Sequence, residues 1–348
     1  MLMVSPCHLV SHCETFVSSN KMTPLLIDCH NHLGADLFFY LNGFYPYAQD
    51  LPAMVTEGRH HGVDRWIVFP MVANLTFDLK AMRSEKLESG GIERVPYAFE
   101  NERMLREIYE LFPDLGKFTL PVVILDPLRE TAAQLVKLRE FKARFPFYAL
   151  KIQATMIQSD VGALLKEGRG FLDFAEEFDL PFIIHSSVAQ ADVWSQATTI
   201  LRVAEATPKV RFCLAHSCRF DQPCLDRVAE LPNTWFDCSA HRIHCQGVVD
   251  GLSYVAPAER RFPADYRDPT AVLRALAEAY PTKLMWGSDT PFQSYVASLG
   301  KDVLSLRSTY HEEVECVRAL PENLRANVTH HNILAWLQLK DEGILTRV

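Results

Sequence analysis

The sequence predicts an α/β protein built as a closed (β/α)8 barrel, also called a TIM barrel. Three observations predict it: eight short apolar runs recur along the chain, segments with helical spacing separate them, and four runs end in a residue that can bind a metal. Alternating strands and helices indicate right-handed crossovers and a parallel sheet. Eight such units in succession fit a closed barrel better than an open sheet of six strands.

The candidate strands are runs of apolar or β-branched residues bounded by proline, glycine or aspartate. In chain order they are 25–32, 63–72, 118–125, 147–152, 181–185, 210–216, 234–238 and 283–289. The run at 234–238 is the weakest, and an error there would leave the barrel intact. No glycine-rich phosphate-binding motif follows the first strand, which argues against a dinucleotide-binding fold.

The segments between the strands have helical spacing and charged faces. They cover 51–61, 101–112, 127–145, 161–178, 189–206, 223–231, 269–280 and, after the last strand, 321–339. Asp126-Pro127 and Asp268-Pro269 predict two helix starts, each with a capping carboxylate before a proline at the first helical position. Two longer connections, near 73–96 and 239–267, are predicted insertions that wall a substrate pocket at the C-terminal ends of the strands.

The length and composition allow one large domain. The chain has 348 residues, of which 48% are hydrophobic, so a sizeable core is available. We assign the barrel to residues 24–340, with 1–23 as an N-terminal extension that we expect to be disordered and 341–348 as a C-terminal tail. Residues 1–22 lack the apolar run of a signal peptide, and Met22 is a plausible true start.

Charge and cysteine usage narrow the class of protein. A formal net charge of −8 argues against nucleic acid or an acidic membrane as partner, and no apolar run approaches the ~20 residues needed to cross a bilayer. We therefore expect a small-molecule substrate and, as a candidate assembly, a homodimer. The nine cysteines include no Cys-x-x-Cys pair, which favours reduced thiols and a cytoplasmic location.

The polar residues that end four strands are candidate metal ligands. His30 and His32 lie two apart, so both point to the same side of the first strand. His185 ends the fifth strand and Asp289 the eighth, and strand ends of a closed barrel share one rim. Each alone has an ordinary alternative, a satisfied core histidine or a turn-capping aspartate. Together they predict a site for a divalent ion, best Zn²⁺.

Such an ion lowers the pKa of bound water and so creates a nucleophile at neutral pH. His216, at the end of the sixth strand, is the candidate to orient that water, polarise a carbonyl or carry a proton; binding a second metal is the alternative. Asp289 is the other candidate for moving protons.

Several further residues are candidate substrate contacts. Four residues follow strands six and seven and are suited to a substrate carboxylate, with solvated loop residues as an equal alternative: Arg219, His241, Arg242 and His244. Asp237 ends the seventh strand, where a structural hydrogen bond is as good an interpretation. Lys151 lies on the fourth strand, where it is a candidate to anchor a substrate anion or to pair with an internal carboxylate.

Taken in order, these segments resemble the successive signatures of the amidohydrolase superfamily, and most closely its amidohydrolase-related (amidohydrolase 2) branch, which includes aminocarboxymuconate semialdehyde decarboxylase-like enzymes. The segments are Asp28-Cys29-His30-Asn31-His32, Ile184-His185, Ala215-His216 and Gly287-Ser288-Asp289-Thr290-Pro291-Phe292. The resemblance implies a barrel of the metallo-dependent hydrolase type with His30, His32, His185 and Asp289 on the metal and His216 beside it. It also implies that Lys151, if carbamylated, would bridge two ions.

These observations predict a metal-dependent hydrolase in which activated water attacks the carbonyl of an amide, a lactone or an ester. The alternative is a metal-dependent, non-oxidative decarboxylase of an unsaturated or aromatic acid. A catalytically silent metal-binding protein on the same fold is a third hypothesis, because a fold alone does not imply activity.

Overall fold

The computed structural model describes residues 24–299 and 301–340, so the predicted N-terminal extension and C-terminal tail lie outside the described residues. Its strands, in chain order, are β1 (Ile27–Ala35), β2 (Ala48–Gln49), β3 (Arg65–Pro70), β4 (Thr119–Ile124), β5 (Ala149–Ile152), β6 (Phe182–Ile184), β7 (Phe212–Leu214), β8 (Thr234–Asp237), β9 (Leu284–Met285), β10 (Tyr295–Leu299) and β11 (Asp302–Leu306).

The first nine strands form one sheet in the order β2-β1-β3-β4-β5-β6-β7-β8-β9, and β10 pairs with β11 in a separate hairpin. In this sheet β2 pairs antiparallel with the end of β1. Every other neighbouring pair is parallel. Seven of the eight parallel strands fall within the predicted runs, including the weak one at 234–238, and β1 extends past its predicted end at residue 32 to Ala35.

Backbone hydrogen bonds join β1 to the segment after β9 and close the barrel. Asp289 N donates to His30 O at 2.9 Å, and His32 N donates to Thr290 O at 2.8 Å. Asn31 and Thr290 also form a parallel bridge. The predicted (β/α)8 barrel is therefore confirmed, and its closure brings the histidines of β1 beside Asp289.

The helices are α1 (Leu37–Asn42), α2 (Leu51–His60), α3 (Leu79–Met82), α4 (Ala98–Arg106), α5 (Pro113–Gly116), α6 (Thr131–Arg144), α7 (Ala154–Ile157), α8 (Arg169–Phe178), α9 (Ala197–Ala206), α10 (Gln222–Glu230), α11 (His241–Val249), α12 (Pro269–Ala279), α13 (Tyr310–Arg318), α14 (Glu322–Ala326) and α15 (Asn332–Leu337). Turns of π-helix follow α4 and link α14 to α15. No described helix is both long enough and apolar enough to span a membrane.

Two predicted helix starts have different outcomes. Asp268 caps α12 as predicted, because its carboxylate accepts a hydrogen bond from Ala271 N at 3.0 Å. The prediction at Asp126-Pro127 is wrong, since α6 begins only at Thr131. Asp126 instead accepts from Leu128 N at 3.0 Å and holds a turn.

Other helix predictions differ from the structure in extent. The helix predicted over 189–206 begins only at 197, and the one predicted over 161–178 is split into a short turn at 161–165 and α8. Within the predicted insertion at 239–267 the chain forms α11, and the hairpin of β10 and β11 lies in a stretch to which no element was assigned.

Two apolar layers make up the core. The outer layer lies between the strands and the surrounding helices, and it contains Trp66, Phe182, Phe212 and Phe236. The inner layer fills the barrel, and α15 covers its lower end with Ile333, Leu334 and Trp336. Both faces of each strand are therefore buried, which explains why the strands read as continuous apolar runs.

Candidate metal centre

A cavity of about 390 Å³ opens at the C-terminal ends of the barrel strands. Its floor carries polar residues that end strands, and its walls are mainly apolar. The walls are formed by Phe39, Val72, Met156, Ile243, Phe292, Tyr295, Leu304 and Leu306. The hairpin of β10 and β11 thus supplies one wall and α11 another. This combination of an apolar wall with a few converging polar groups is typical of a small-molecule site.

His30, His32 and Asp289 converge on the floor of this cavity. One ligand atom from each lies within 4.8 Å of the others. The two Nε2 atoms lie 3.3 Å and 3.4 Å from the same carboxylate oxygen, Asp289 Oδ1. The structure thus brings these three predicted ligands together.

The remaining ring nitrogens of the two histidines are held from behind. His30 Nδ1 lies 3.0 Å from Asp237 Oδ2, and His32 Nδ1 lies 3.1 Å from Pro70 O. Both partners are acceptors, so each Nδ1 carries the proton and each Nε2 presents a lone pair to the cluster. Metal-binding histidines in proteins have this arrangement. The donor set therefore fits a divalent cation such as zinc.

Asp237 lies beneath the cavity and does not line it. Its Oδ1 accepts hydrogen bonds from the backbone N–H groups of His216 and Ser239 at 3.0 Å and 2.9 Å. Burial alone would raise its pKa, but the interaction with His30 and the hydrogen bonds from Ser239 and the His216 N–H outweigh burial and hold the pKa well below its usual range. The predicted alternative, a structural hydrogen bond, describes this carboxylate; the structure does not bring it to the cavity as a substrate contact.

Asp289 occupies a strained turn, because its φ of 64° is in the left-handed region that non-glycine residues rarely adopt. The preceding residue is anchored to β1, since Ser288 N donates to Asp28 Oδ1 at 2.9 Å. Asp28 is itself buried and accepts a hydrogen bond from Tyr310 Oη. The segment Asp28–His32 thus holds Ser288 and Asp289 in place, through the carboxylate of Asp28 and through the rings of His30 and His32.

His185 lies on the wall of the same cavity, yet outside the cluster of three. Its Nδ1 lies 3.0 Å from His216 Nε2, and its Nε2 accepts from Arg219 Nη2 at 3.1 Å. Both ring nitrogens are therefore engaged, so the structure does not direct this side chain at the other predicted ligands.

His216 lies between His185 and Asp289. Its Nδ1 is 2.9 Å from Ser239 Oγ and 3.8 Å from Asp289 Oδ2. Burial, followed by the positive charge of Arg219, lowers its pKa well below the ordinary value for histidine. The imidazole is therefore neutral near pH 7.

Lys151 is buried beside the cluster, with Nζ 3.2 Å from His30 Nε2 and 4.5 Å from the centre of the Phe69 ring. Burial lowers its pKa from 10.5 to about 8, although Asp237 and Asp289 oppose the change. The amino group thus stands against the ring nitrogen that faces the cluster.

His241 and Arg242, predicted as candidate substrate contacts, point away from the cavity. His241 Nε2 donates to Pro269 O at 2.8 Å, and Arg242 reaches Glu312 on α13 at 3.1 Å. Both residues lie on the first turn of α11, whose inner face is presented instead by Ile243 and His244. The sequence identified the segment that contributes to the cavity wall, but it did not indicate which face of α11 points into the cavity.

Arg219, by contrast, lies in the cavity wall, together with His244 and Tyr254. The apolar residues of the β10 and β11 hairpin were missed. The short apolar run Tyr295-Val296-Ala297, followed closely by Gly300, is the signal that could have indicated a strand and a turn here.

Comparison with known proteins identifies the family. A family model described as Amidohydrolase matches residues 27–339. No curated protein matches the chain.

Several solved structures share the fold at low sequence identity. A 2,6-dihydroxybenzoate decarboxylase has a TM-score of 0.54 and 12% identity, with 91% of this chain and 98% of that chain covered. A dihydroorotase from Campylobacter jejuni has a TM-score of 0.51 and 14% identity, with 92% and 86% covered. An IDCase from Metarhizium anisopliae has a TM-score of 0.51 and 12% identity, with 90% and 97% covered.

Proposed function

The chain belongs to the amidohydrolase family, and on that premise we propose that it is a metal-dependent hydrolase acting on the carbonyl group of a small amide, lactone or ester. The observation that carries the proposal is the cluster of His30, His32 and Asp289 on the floor of an apolar cavity. A divalent cation held there, best Zn²⁺, supplies Lewis acidity and a water nucleophile that is active near neutral pH.

The residues of the chain have separate roles in this proposal. His30 and His32 would hold the cation through Nε2, because Asp237 and Pro70 O fix the opposite edges of their rings. Asp289 has one oxygen, Oδ1, directed at the two histidines, while Oδ2 faces His216. Asp289 is therefore positioned to take the proton of the attacking water and to return it to the leaving group.

His216 acts in this scheme as a neutral hydrogen-bonding group and not as the main base. Its Nε2 already accepts from His185, and its Nδ1 donates toward Ser239. In this tautomer Nε2 carries no proton, so it can accept a hydrogen bond from the attacking water and orient it, provided that His185 turns away when substrate and metal bind. The same turn would allow His185 to serve as the fourth ligand.

A non-oxidative decarboxylation of an unsaturated or aromatic acid is the second candidate. It is favoured by the aromatic side chains of Phe39, Phe292 and Tyr295 in the cavity wall, together with the buried cation of Arg219. Such a wall suits a planar acid. The two candidates use the same metal cluster and differ in whether water enters the product.

The first experiment measures metal content by elemental analysis for the wild type, His32→Ala, Asp289→Asn and His185→Ala, all confirmed folded by circular dichroism. We expect one ion per chain in the wild type and its loss in the first two variants. Retention of the ion in His185→Ala would assign that residue to the cavity wall only. Two ions in the wild type would support Lys151 as a bridge. No ion in the wild type after resupply of zinc would refute the proposal.

The reaction is then tested with a panel of amides, lactones and esters in ¹⁸O-labelled water, beside a panel of unsaturated and aromatic acids. Metal-dependent uptake of ¹⁸O into a product carboxylate would support hydrolysis. Release of carbon dioxide without uptake of the label would establish the decarboxylase instead. Turnover that continues after chelation at the rate measured before chelation would count against both reactions.

A further inference from the structure

The segment His216–Phe220, directly after β7, has an unusual backbone. Its five residues have φ angles of 63°, 48°, 47°, 53° and 64°, and none is glycine. Consecutive left-handed residues of this kind are rare because the side-chain β-carbon crowds the backbone, so each of them raises the energy of the folded chain. Strain of this kind is retained where the surrounding structure enforces it, and it is concentrated at functional sites.

The surrounding structure does enforce this left-handed turn. The insertion at 239–267 pairs with it, because Ala256 N donates to Arg219 O and Phe262 N donates to Phe220 O, both at 2.9 Å. At the start of the turn, His216 N donates to Asp237 at 3.0 Å. The turn is thus fixed at its start by Asp237 of β8 and at its end by the insertion.

The turn places the guanidinium of Arg219 in the cavity wall, where the side chain is 7% exposed. Its hydrogen bonds go to neutral acceptors: Nε donates to Ser186 O at 3.2 Å, Nη1 to His244 Nε2 at 2.6 Å, and Nη2 to His185 Nε2 at 3.1 Å. A guanidinium has five N–H donors. Nη1 also lies 3.1 Å from His244 Nδ1, but a neutral imidazole accepts through one nitrogen only. These contacts therefore use three donors and leave one on each terminal nitrogen.

No carboxylate of the described chain forms an ion pair with Arg219, although two line the same cavity. Asp192 is held by Thr155 and Ser195, and Asp289 belongs to the histidine cluster. Burying a cation without an anionic partner is unfavourable. The missing partner is therefore expected to come from a bound molecule.

We propose that Arg219, supported by His244 and Tyr254, is an anion subsite that binds a carboxylate of the substrate, which makes the substrate an organic acid with an apolar body. The two free N–H groups match the paired oxygens of a carboxylate. The apolar body lies against Ile243 and Leu306 in the same cavity. This inference rests on the proposed function in one respect only, that the cavity is the substrate site.

The test measures binding and not turnover. Benzoate and benzamide, which have the same shape and differ in charge, are titrated by calorimetry into the full-length protein before and after chelation of metal. The variants are Arg219→Gln, Arg219→Lys and, as a matched control, Arg202→Gln on the exposed face of α9. Circular dichroism establishes that each variant is folded.

We expect benzoate to bind the wild type and Arg202→Gln more tightly than benzamide does, with and without metal. Arg219→Gln should weaken benzoate binding roughly tenfold or more and leave benzamide unchanged, with partial rescue by Arg219→Lys. Equal benzoate affinity for the wild type and Arg219→Gln, no preference for benzoate over benzamide, or no benzoate binding to the wild type would each overturn the subsite.

These outcomes are separable from the failure of the proposed function. Benzoate binding that requires Arg219, in a protein that binds no metal, would uphold the subsite and refute the hydrolase. Metal-dependent turnover, together with equal benzoate affinity in the wild type and Arg219→Gln, would support the hydrolase and refute the subsite.

Discussion

One buried carboxylate, that of Asp237, determines how His30 and His216 are held in this protein. Asp237 fixes the proton on His30 Nδ1 and, through its other oxygen, accepts the backbone N–H of His216. One side chain therefore sets the tautomer of a residue on β1 and the start of the strained turn after β7. Removing its charge should affect metal binding even though it lies outside the cavity.

We expect Asp237→Asn to weaken zinc binding roughly 10- to 100-fold, because the amide cannot make His30 more basic as the carboxylate does. Competition with a chromogenic chelator measures the affinity. Asp250→Asn, at the exposed end of α11, is the control and should bind zinc as the wild type does. Equal affinities for the two variants would show that His30 needs no such support.

Glu313 on α13 is buried, and burial raises its pKa from 4.5 to about 8. In the unfolded chain the carboxyl ionises near its ordinary value. Between the two values the folded protein binds more protons than the unfolded chain, so this residue makes stability fall as pH rises.

We expect the free energy of unfolding of the wild type to fall relative to Glu313→Gln between about pH 5 and 8, by at most ~1.4 kcal/mol per pH unit. Urea denaturation across this range measures the difference. Glu312→Gln is the control: burial raises the pKa of Glu312, but hydrogen bonds from Thr309 outweigh burial and lower it below the ordinary value. The difference in free energy of unfolding between the wild type and Glu312→Gln should not change with pH in this range. If the difference between the wild type and Glu313→Gln does not change with pH either, the prediction is contradicted.

At this scale the sequence predicted only part of the site. The spacing of His30 and His32 and the strand-end position of Asp289 were sufficient to predict their convergence, because strand geometry determines both. The pairing of His185 with Arg219 depends instead on side-chain orientation after a left-handed turn. Nothing in local sequence indicates such a turn when it contains no glycine.

Among the elements, α2 shows how closely the outer helices approach the barrel. Gly58 faces the buried indole of Trp66 on β3, and a β-carbon built at this position would lie 2.4 Å from the ring. No larger residue fits without displacing the strand or the helix. This glycine is therefore required for packing.

We expect Gly58→Ala to lower the free energy of unfolding by roughly 1–3 kcal/mol, in spite of the better helix propensity of alanine. Gly170→Ala on α8 is the matched control, because the nearest atom there is the flexible end of Leu135. That variant should be neutral or slightly stabilised. Thermal and urea denaturation compare the two, and equal effects would argue against the steric explanation.

Elements with strong periodicity were predicted well, and elements that depend on the tertiary structure were not. The apolar runs of the eight barrel strands identify them because both faces are buried. The start of α6 was misplaced since Asp126-Pro127 fits a turn as well as a helix cap. The hairpin of β10 and β11 was missed because its strands are short and show no regular alternation of apolar and polar residues.

In the whole molecule, the closure of the barrel depends on polar contacts between distant segments. Tyr310 Oη accepts from Trp66 Nε1 at 3.1 Å and donates to Asp28 Oδ2 at 3.0 Å. This hydroxyl thus links α13, β3 and β1. The prediction of a closed barrel needed only the count of strands, whereas these contacts became visible only in the folded structure.

We expect Tyr310→Phe to cost roughly 1–3 kcal/mol of stability, because it leaves a buried indole N–H and a carboxylate oxygen without their shared partner. Tyr40→Phe is the control, since Tyr40 is 61% exposed. Chemical denaturation measures both. A loss in Tyr310→Phe no larger than in the control would show that the link does not contribute to stability.

Closure of the barrel also determines when the cluster of His30, His32 and Asp289 can form during synthesis of the chain. The contact between Ser288 and Asp28 joins positions 260 residues apart, and the cluster of His30, His32 and Asp289 spans the same interval. A nascent chain that has left the ribosome through its seventh barrel strand has both histidines but not yet the aspartate. The cluster is thus complete only when translation is nearly finished, so an incomplete translation product lacks the aspartate that the proposed metal site requires.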